Sequence, residues 1–138
     1  MNKKLKTICI IPARGGSKGR PGKNLRLFNS KPLIAWPIIA AKKCKNIDTV
    51  IVTTDSEEIA TQAKLFGASV PSLRPSHLAQ DNSTTETTLK YALDSFEKST
   101  KQHFDICVFL TCTDIFRDTV WITSAVKKLE NNDALESV

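Results

Sequence analysis

The sequence predicts an α/β fold: a mainly parallel sheet with helices on both faces. Two observations carry this expectation. Short apolar runs rich in Ile and Val alternate along the chain with longer segments of helical periodicity, and those runs lack the strict polar alternation of a half-exposed antiparallel strand. The 138 residues suffice for a single domain, 1–138, with a core that needs neither disulfides nor a structural metal. With 41% hydrophobic and 25% charged residues, 5 Gly and 6 Pro, disordered, collagen-like and low-complexity classes are excluded. No run of apolar residues is long enough to span a bilayer. The apolar run at Ile8 follows Lys3, Lys4 and Lys6 too closely for a signal-peptide core with a cleavage site. A soluble, cytoplasmic protein without a membrane partner is expected.

The first strand is read from LKTICIIP, residues 5–12, an Ile-rich run closed by Pro. A glycine-rich loop follows at once. Residues 31–45 fit a helix, with Pro32 near its first turn and Pro37 as an internal irregularity that implies a kink or an early break. DTVIVTT, residues 48–54, reads as a second buried parallel strand. Ser56 then opens a helix whose Glu57 and Glu58 suit its positive end and whose stop is Gly67. A short strand at 68–70 leads into a long loop, 71–82, of a length that usually carries function. Ser83 and Glu86 make a capping box for a helix reaching Lys98, with Leu89, Ala92, Leu93 and Phe96 inward. Residues 104–110 form another buried strand, and Asp118 caps a last helix carrying Val120, Ile122, Val126 and Leu129. The final residues, 133–138, start a further strand.

Charge is more informative by position than in total. The net charge is +6, but residues 1–47 hold twelve Lys and Arg and no acid, which leaves eight bases and fourteen acids after them. The excess surrounds the loop Ala13 to Asn24, in which Gly15, Gly16, Gly19 and Gly22 permit backbone amides to face an anion and Arg14, Lys18, Arg20 and Lys23 add charge. In an open α/β sheet the ligand sits beyond the carboxyl ends of the strands, where this loop lies. Phosphate binding is the natural reading; a solvated basic edge is the plain alternative. The loop is not a Walker motif, since Ser17 stands where its first glycine belongs and Asn24 follows Lys23. Nor is it a dinucleotide fingerprint, because Ser17 takes the place of the second glycine.

Other chemistry-bearing residues read more simply. Cys9, Cys44, Cys107 and Cys112 show neither a CxxC pair nor zinc spacing and are expected to be small buried hydrophobes. Asp55 is read as structural, either capping the helix near Ser56 or holding the neighbouring loop. His77 and His103 lack catalytic partners and are assigned to surface loops.

IPARGGSKGRPGKNL, residues 11–25, resembles the signature of the cytidylyltransferases that activate nine-carbon ulosonic acids, especially the acylneuraminate cytidylyltransferases. KPLIAWPIIAA, VIVTTDSEEIATQAKLFGA and LRPSHLAQDNSTT resemble the family's following segments, in its order. The resemblance implies a Rossmann-like three-layer αβα sandwich of the nucleotide-diphospho-sugar transferase type. It also implies transfer of CMP from CTP to a sialic-acid-like nonulosonic acid, giving a CMP-sugar and pyrophosphate, with Mg²⁺ as cofactor and a homodimer as assembly. By this resemblance Arg14 and Lys23 are catalytic. The nucleotide is bound by Ala13, Arg14, Gly15, Gly16, Ser17, Lys18, Lys23, Asn24, Arg74, Ser83 and Thr85, with Arg74, Ser83 and Thr85 near the cytosine.

The sequence departs from the family in two places. LTCTDIFR, residues 110–117, stands where the family usually has LQPTSPLR, so Thr111 shortens a hydrogen-bonding side chain and Cys112 and Ile115 remove two prolines. Asp114 is new charge there, able to bind Mg²⁺, orient Arg117 or cap the next turn. The family's C-terminal part, with its late aspartates for Mg²⁺, is also expected to be missing. The alternative is thus a CTP-binding module of the same fold, truncated or without turnover. Nucleic acid is not an expected partner, for aromatics are sparse beside the basic loop.

Overall fold

The structure, a computed structural model, describes residues 5–15, 22–71, 73, 85–112 and 119–131. Its main sheet is parallel, with β1 (Thr7–Pro12) in the centre, β4 (Thr49–Thr53) on one side and β5 (Ile106–Phe109) on the other. Ile8 pairs with Thr49 and with Cys107, which sets both registers. An aspartate just before each outer strand locks the start of β1. Asp48 accepts from the Thr7 N–H at 2.8 Å and returns its own N–H to the Thr7 carbonyl at 2.9 Å. Asp105 does the same for Lys6, with both distances 2.8 Å.

Because successive side chains of a strand point to opposite faces, β1 feeds two cores. Cys9 and Ile11 join Val50 and Val52 of β4 beneath α1 (Ala35–Lys42), α2 (Glu57–Leu65) and α4 (Thr119–Asn131), which supply Ile38, Ile59 and Ile122. Ile8, Ile10 and Ile51 face the other way, onto Ala92 and Phe96 of α3 (Thr85–Thr100) and onto Phe104. The result is the expected layered α/β arrangement, helices on both faces of a parallel sheet.

Several local expectations are corrected. The segment 31–45 is not one helix. Leu27–Phe28 (β2) and Lys31–Pro32 (β3) form an antiparallel hairpin, turned by Asn29 and Ser30 at φ 48° and 69°. Two consecutive left-handed residues match the twist that a two-residue hairpin needs. The helix therefore starts at Ala35, and Pro37 lies in its first turn, where an N–H has no intrahelical partner to lose. No kink is required. Trp36 ties hairpin to helix: its Nε1–H donates to the Phe28 carbonyl at 3.2 Å, and its ring meets Phe28 edge-on with centroids 6.1 Å apart.

The expected strand at 68–70 shrinks to one parallel bridge, Ile51 with Ser69, outside β4. Ser56 caps α2, its Oγ accepting from the Ile59 N–H at 3.3 Å, and Gly67 follows with φ 99°. On α3, Ala92 and Phe96 are buried as expected, and Leu89 and Leu93 pack partly beside them. On α4, Ile122 and Val126 are inward, but Val120 is 62% exposed, since a residue two places from Ile122 lies nearly opposite it on a helix. Cys9, Cys44 and Cys112 are buried; Cys107 is exposed on β5, on the part of the sheet face that α3 leaves open. Ser83, Asp118, 133–138 and most of the 71–82 loop lie outside the described residues.

Candidate functional site

The carboxyl ends of β1 and β4 are where the chain assembles its candidate site. Ala13, buried, continues the ladder past β1, donating its N–H to the Thr53 carbonyl at 3.0 Å. The next two residues leave the sheet and are held from two sides. The Gly15 N–H donates to Asp55 Oδ1 at 2.8 Å, and the Asn24 side-chain Nδ2 donates to the Arg14 carbonyl at 3.0 Å. The Gly22 N–H then donates to the Gly15 carbonyl at 3.1 Å, so residues 15 and 22 close the neck of the glycine-rich segment. Arg14 and Lys23 flank that neck, one on each strand of chain, and both are half-buried.

The return strand of the neck is built by its own local order. Gly22 has φ 75°, a left-handed value that glycine adopts without strain. It leads into one turn of 3₁₀-helix, Lys23–Leu25, closed by the Leu25 and Arg26 amides. Asn24 is buried at its centre, and its carbonyl accepts from the Ile34 N–H at 3.0 Å, binding the turn to the start of α1. Lys23 is thus carried by a turn fixed to both β1 and α1.

On the β4 side, Thr54 and Asp55 form the corner into α2. The Ser56 N–H donates to Thr54 Oγ1 at 3.1 Å, which leaves the Asp55 carboxylate aimed at Gly15 and the Ser56 hydroxyl free to cap the helix. Of the two structural readings of Asp55, loop holder and helix cap, the structure takes the first. Gly15 has no positive φ; what excludes a side chain is space, for a Cβ there would stand 2.8 Å from Ser56 Cβ.

Among the residues expected to bind, Ala13, Arg14, Gly15, Lys23 and Asn24 come together in this neck. Thr85 is the exposed first residue of α3. Since α3 ends near the start of β5, beside Thr7, its first turn points back toward the carboxyl ends of the strands. Gly16, Ser17, Lys18, Arg74 and Ser83 lie outside the described residues, as do His77 and Asp114. Cys112 is buried. His103 is at the opposite end of the sheet, exposed as expected but not alone: Nδ1 is 3.3 Å from Glu97 and Nε2 3.8 Å from Asp105.

Two features of the site escaped the sequence reading. The hairpin 27–32 was not expected, and only its second strand, Lys31–Pro32, fell inside the expected helix 31–45; its signal is the polar pair Asn29-Ser30 between two short runs. The second role of Asn24, holding Arg14 rather than facing outward, has no sequence signal. Among the described residues no cluster of three or more His, Cys, Asp or Glu could hold a metal ion, and Asp55, the carboxylate at the neck, is engaged with Gly15. Asp114, the other carboxylate considered for Mg²⁺, lies outside the described residues.

A parallel sheet with helices on both faces and a basic glycine-containing neck beyond its central strand places the chain among the open-sheet α/β proteins, whose ligands sit at the carboxyl ends of the strands. Within that class the chain belongs to the cytidylyltransferase family, whose sequence profile matches residues 8–137. It is 42% identical over 123 residues to a CMP-N,N'-diacetyllegionaminic acid synthase of Legionella pneumophila, covering 89% of this chain and 53% of that protein. It is 38% identical to an N-acylneuraminate cytidylyltransferase of Escherichia coli, covering 96% of this chain and 30% of the relative. Among solved structures, a CMP:2-keto-3-deoxy-manno-octonic acid synthetase complexed with CTP superposes with TM-score 0.78 at 22% identity, over 94% of this chain and 49% of the other. The chain thus spans about half the length, or less, of these relatives.

Proposed function

We propose that this chain supplies the CTP-binding part of an enzyme that transfers CMP from CTP to a nonulosonic acid, releasing pyrophosphate. The observation that carries the reading is the hydrogen-bonded neck at residues 13–15 and 22–24, whose backbone carries Arg14 and Lys23 at the strand ends. Relatives named for CMP-sugar synthesis with legionaminic, acylneuraminic and pseudaminic acids support the substrate class.

In the reaction, the anomeric hydroxyl oxygen attacks the α-phosphorus of CTP, its proton passes to water, the bond to the bridging oxygen breaks, and pyrophosphate leaves with the electron pair. Charge grows on the phosphoryl oxygens and on the leaving group. A fixed guanidinium and ammonium stabilise that charge more than they stabilise the bound substrate, because the neck orders them beforehand. Arg14 and Lys23 have this role; the Ala13 and Gly15 amides bond within the protein, so these two residues shape the phosphate site without donating to it. Thr85, with Arg74 and Ser83, selects cytosine, where an unmatched donor or acceptor would penalise uracil. Mg²⁺ belongs to the reading as a companion of the triphosphate, neutralising phosphate charge. A second copy of the chain and a cytoplasmic location complete it. No helix among the described residues is long and apolar enough to cross a membrane.

Calorimetry with CTP, UTP, ATP and GTP in the presence of Mg²⁺ tests the reading. Selective CTP binding that Lys23→Ala and Arg14→Ala both weaken is the expected result. Binding of all four alike, or undiminished CTP binding in both variants, overturns it.

A further inference from the structure

We infer that Asp55 is a positioning residue for the phosphate neck, acting through the backbone of Gly15 and not by contact with the nucleotide. This rests on the CTP-binding reading above. Three observations lead to it. Asp55 Oδ1 accepts from the Gly15 N–H at 2.8 Å across forty residues of sequence, a charge-assisted bond between the corner after β4 and the loop after β1. Gly15 is pressed against the same corner, with room for no Cβ beside Ser56. The Gly15 carbonyl, meanwhile, receives the Gly22 N–H that closes the neck. Both backbone groups of Gly15 are therefore engaged inside the protein, and its amide does not point to a ligand.

The consequence is a division of labour within one loop. Gly15 is the fixed point and Asp55 its anchor, so the backbone at Arg14, before Gly15, and at Lys23, after the Gly22 bonded to it, is held in one place. A carboxylate beside a triphosphate site would by itself repel the ligand. Its bond to the Gly15 amide gives the carboxylate a structural partner, with Oδ1 turned onto the backbone of the neck. The Thr54 hydroxyl, by taking the Ser56 N–H, keeps the corner in the conformation that aims Asp55 at Gly15.

The test compares Asp55→Ala, which removes the acceptor, with Asp55→Asn, which keeps an acceptor oxygen but removes the charge. CTP affinity is measured with and without Mg²⁺, alongside the melting temperature. Asp55→Ala is expected to weaken CTP about tenfold, the equivalent of one hydrogen bond of ordinary strength, and Asp55→Asn to stay within about threefold of the parent. Gly15→Ala should reproduce the loss, and Gly15→Ala combined with Ser56→Gly, which removes the obstructing Cβ, should recover most of it. Equal losses in Asp55→Asn and Asp55→Ala, seen only with Mg²⁺, would make Asp55 a cation ligand and overturn the inference. So would parent-like binding in Asp55→Ala.

Hydrogen exchange at the Gly15 amide separates this inference from the functional reading. If the parent protein fails to bind CTP, that reading falls, while the anchor is judged by exchange alone: slow in the parent and Asp55→Asn, fast in Asp55→Ala at an unchanged melting temperature. Fast Gly15 exchange in the parent protein overturns the anchor whatever the nucleotide does.

Discussion

At the scale of single residues, the site is a set of backbone anchors that carry a few charges. Removing the charge of Lys23 leaves the 3₁₀ turn intact, since that turn is closed by main-chain bonds. Lys23→Ala should therefore cost about 3 kcal/mol of transition-state stabilisation in turnover, the worth of one preorganised donor, with little change in melting temperature. Asn24→Ala should do the reverse in part. It strips the Arg14 carbonyl of a buried partner, so a stability loss of about 1 to 2 kcal/mol should appear in urea unfolding together with weaker CTP binding. Cys107 gives a third expectation. Residual packing pushes its thiol up, yet it is the exposed cysteine of the four, so a thiol reagent should label one residue in the folded protein, faster as pH rises, and all four after denaturation.

At the scale of elements, what was legible in the sequence follows from how local each cause is. Ser56 and Gly67 bracket α2 by chemistry within one turn of their own positions, and both ends are where the sequence puts them. The β4 run and the inward stripe of α3 are equally local patterns. By contrast, β2 and β3 are two residues each, too short for an alternating pattern, and Lys31–Pro32 runs straight into the apolar residues of α1, so the expected helix absorbs it. The fate of Pro37 depended on where α1 begins, which the hairpin decides. The site divides in the same way: Arg14 and Lys23 stand out as charge in a glycine-rich segment, whereas the partners of Gly15 and Asn24 are set by tertiary placement. The hairpin also offers a test. Ser30 holds φ 69° with a Cβ, so Ser30→Gly should stabilise the protein by about 1 kcal/mol, read as a rise in the urea midpoint without a change in slope.

At the scale of the whole molecule, one strand serves two cores and, through the loop after it, the site. Ile10→Ala opens the α3 side and Ile11→Ala the side of α1, α2 and α4. Each should destabilise by about 2 to 5 kcal/mol in equilibrium unfolding, because both side chains are fully buried. The two differ in what else they disturb. Ile11 is two residues from Ala13 and shares its core, so its loss should weaken CTP binding more than the loss of Ile10 at equal stability.

The placement of β1 between β4 and β5 has a consequence in time. Of the three strands in this sheet, β1 is synthesised first and enclosed last: its start is tied to Asp48 across 41 residues and to Asp105 across 99. Until β5 emerges from the ribosome, one edge of an Ile-rich strand stays unpaired, and the closing contact is among the most distant in the chain. Such non-local pairing slows folding and exposes a sticky intermediate. A nascent chain should therefore hold chaperones on this segment until Ile106–Phe109 has been released, and crosslinking of stalled nascent chains should show that contact fall once it has.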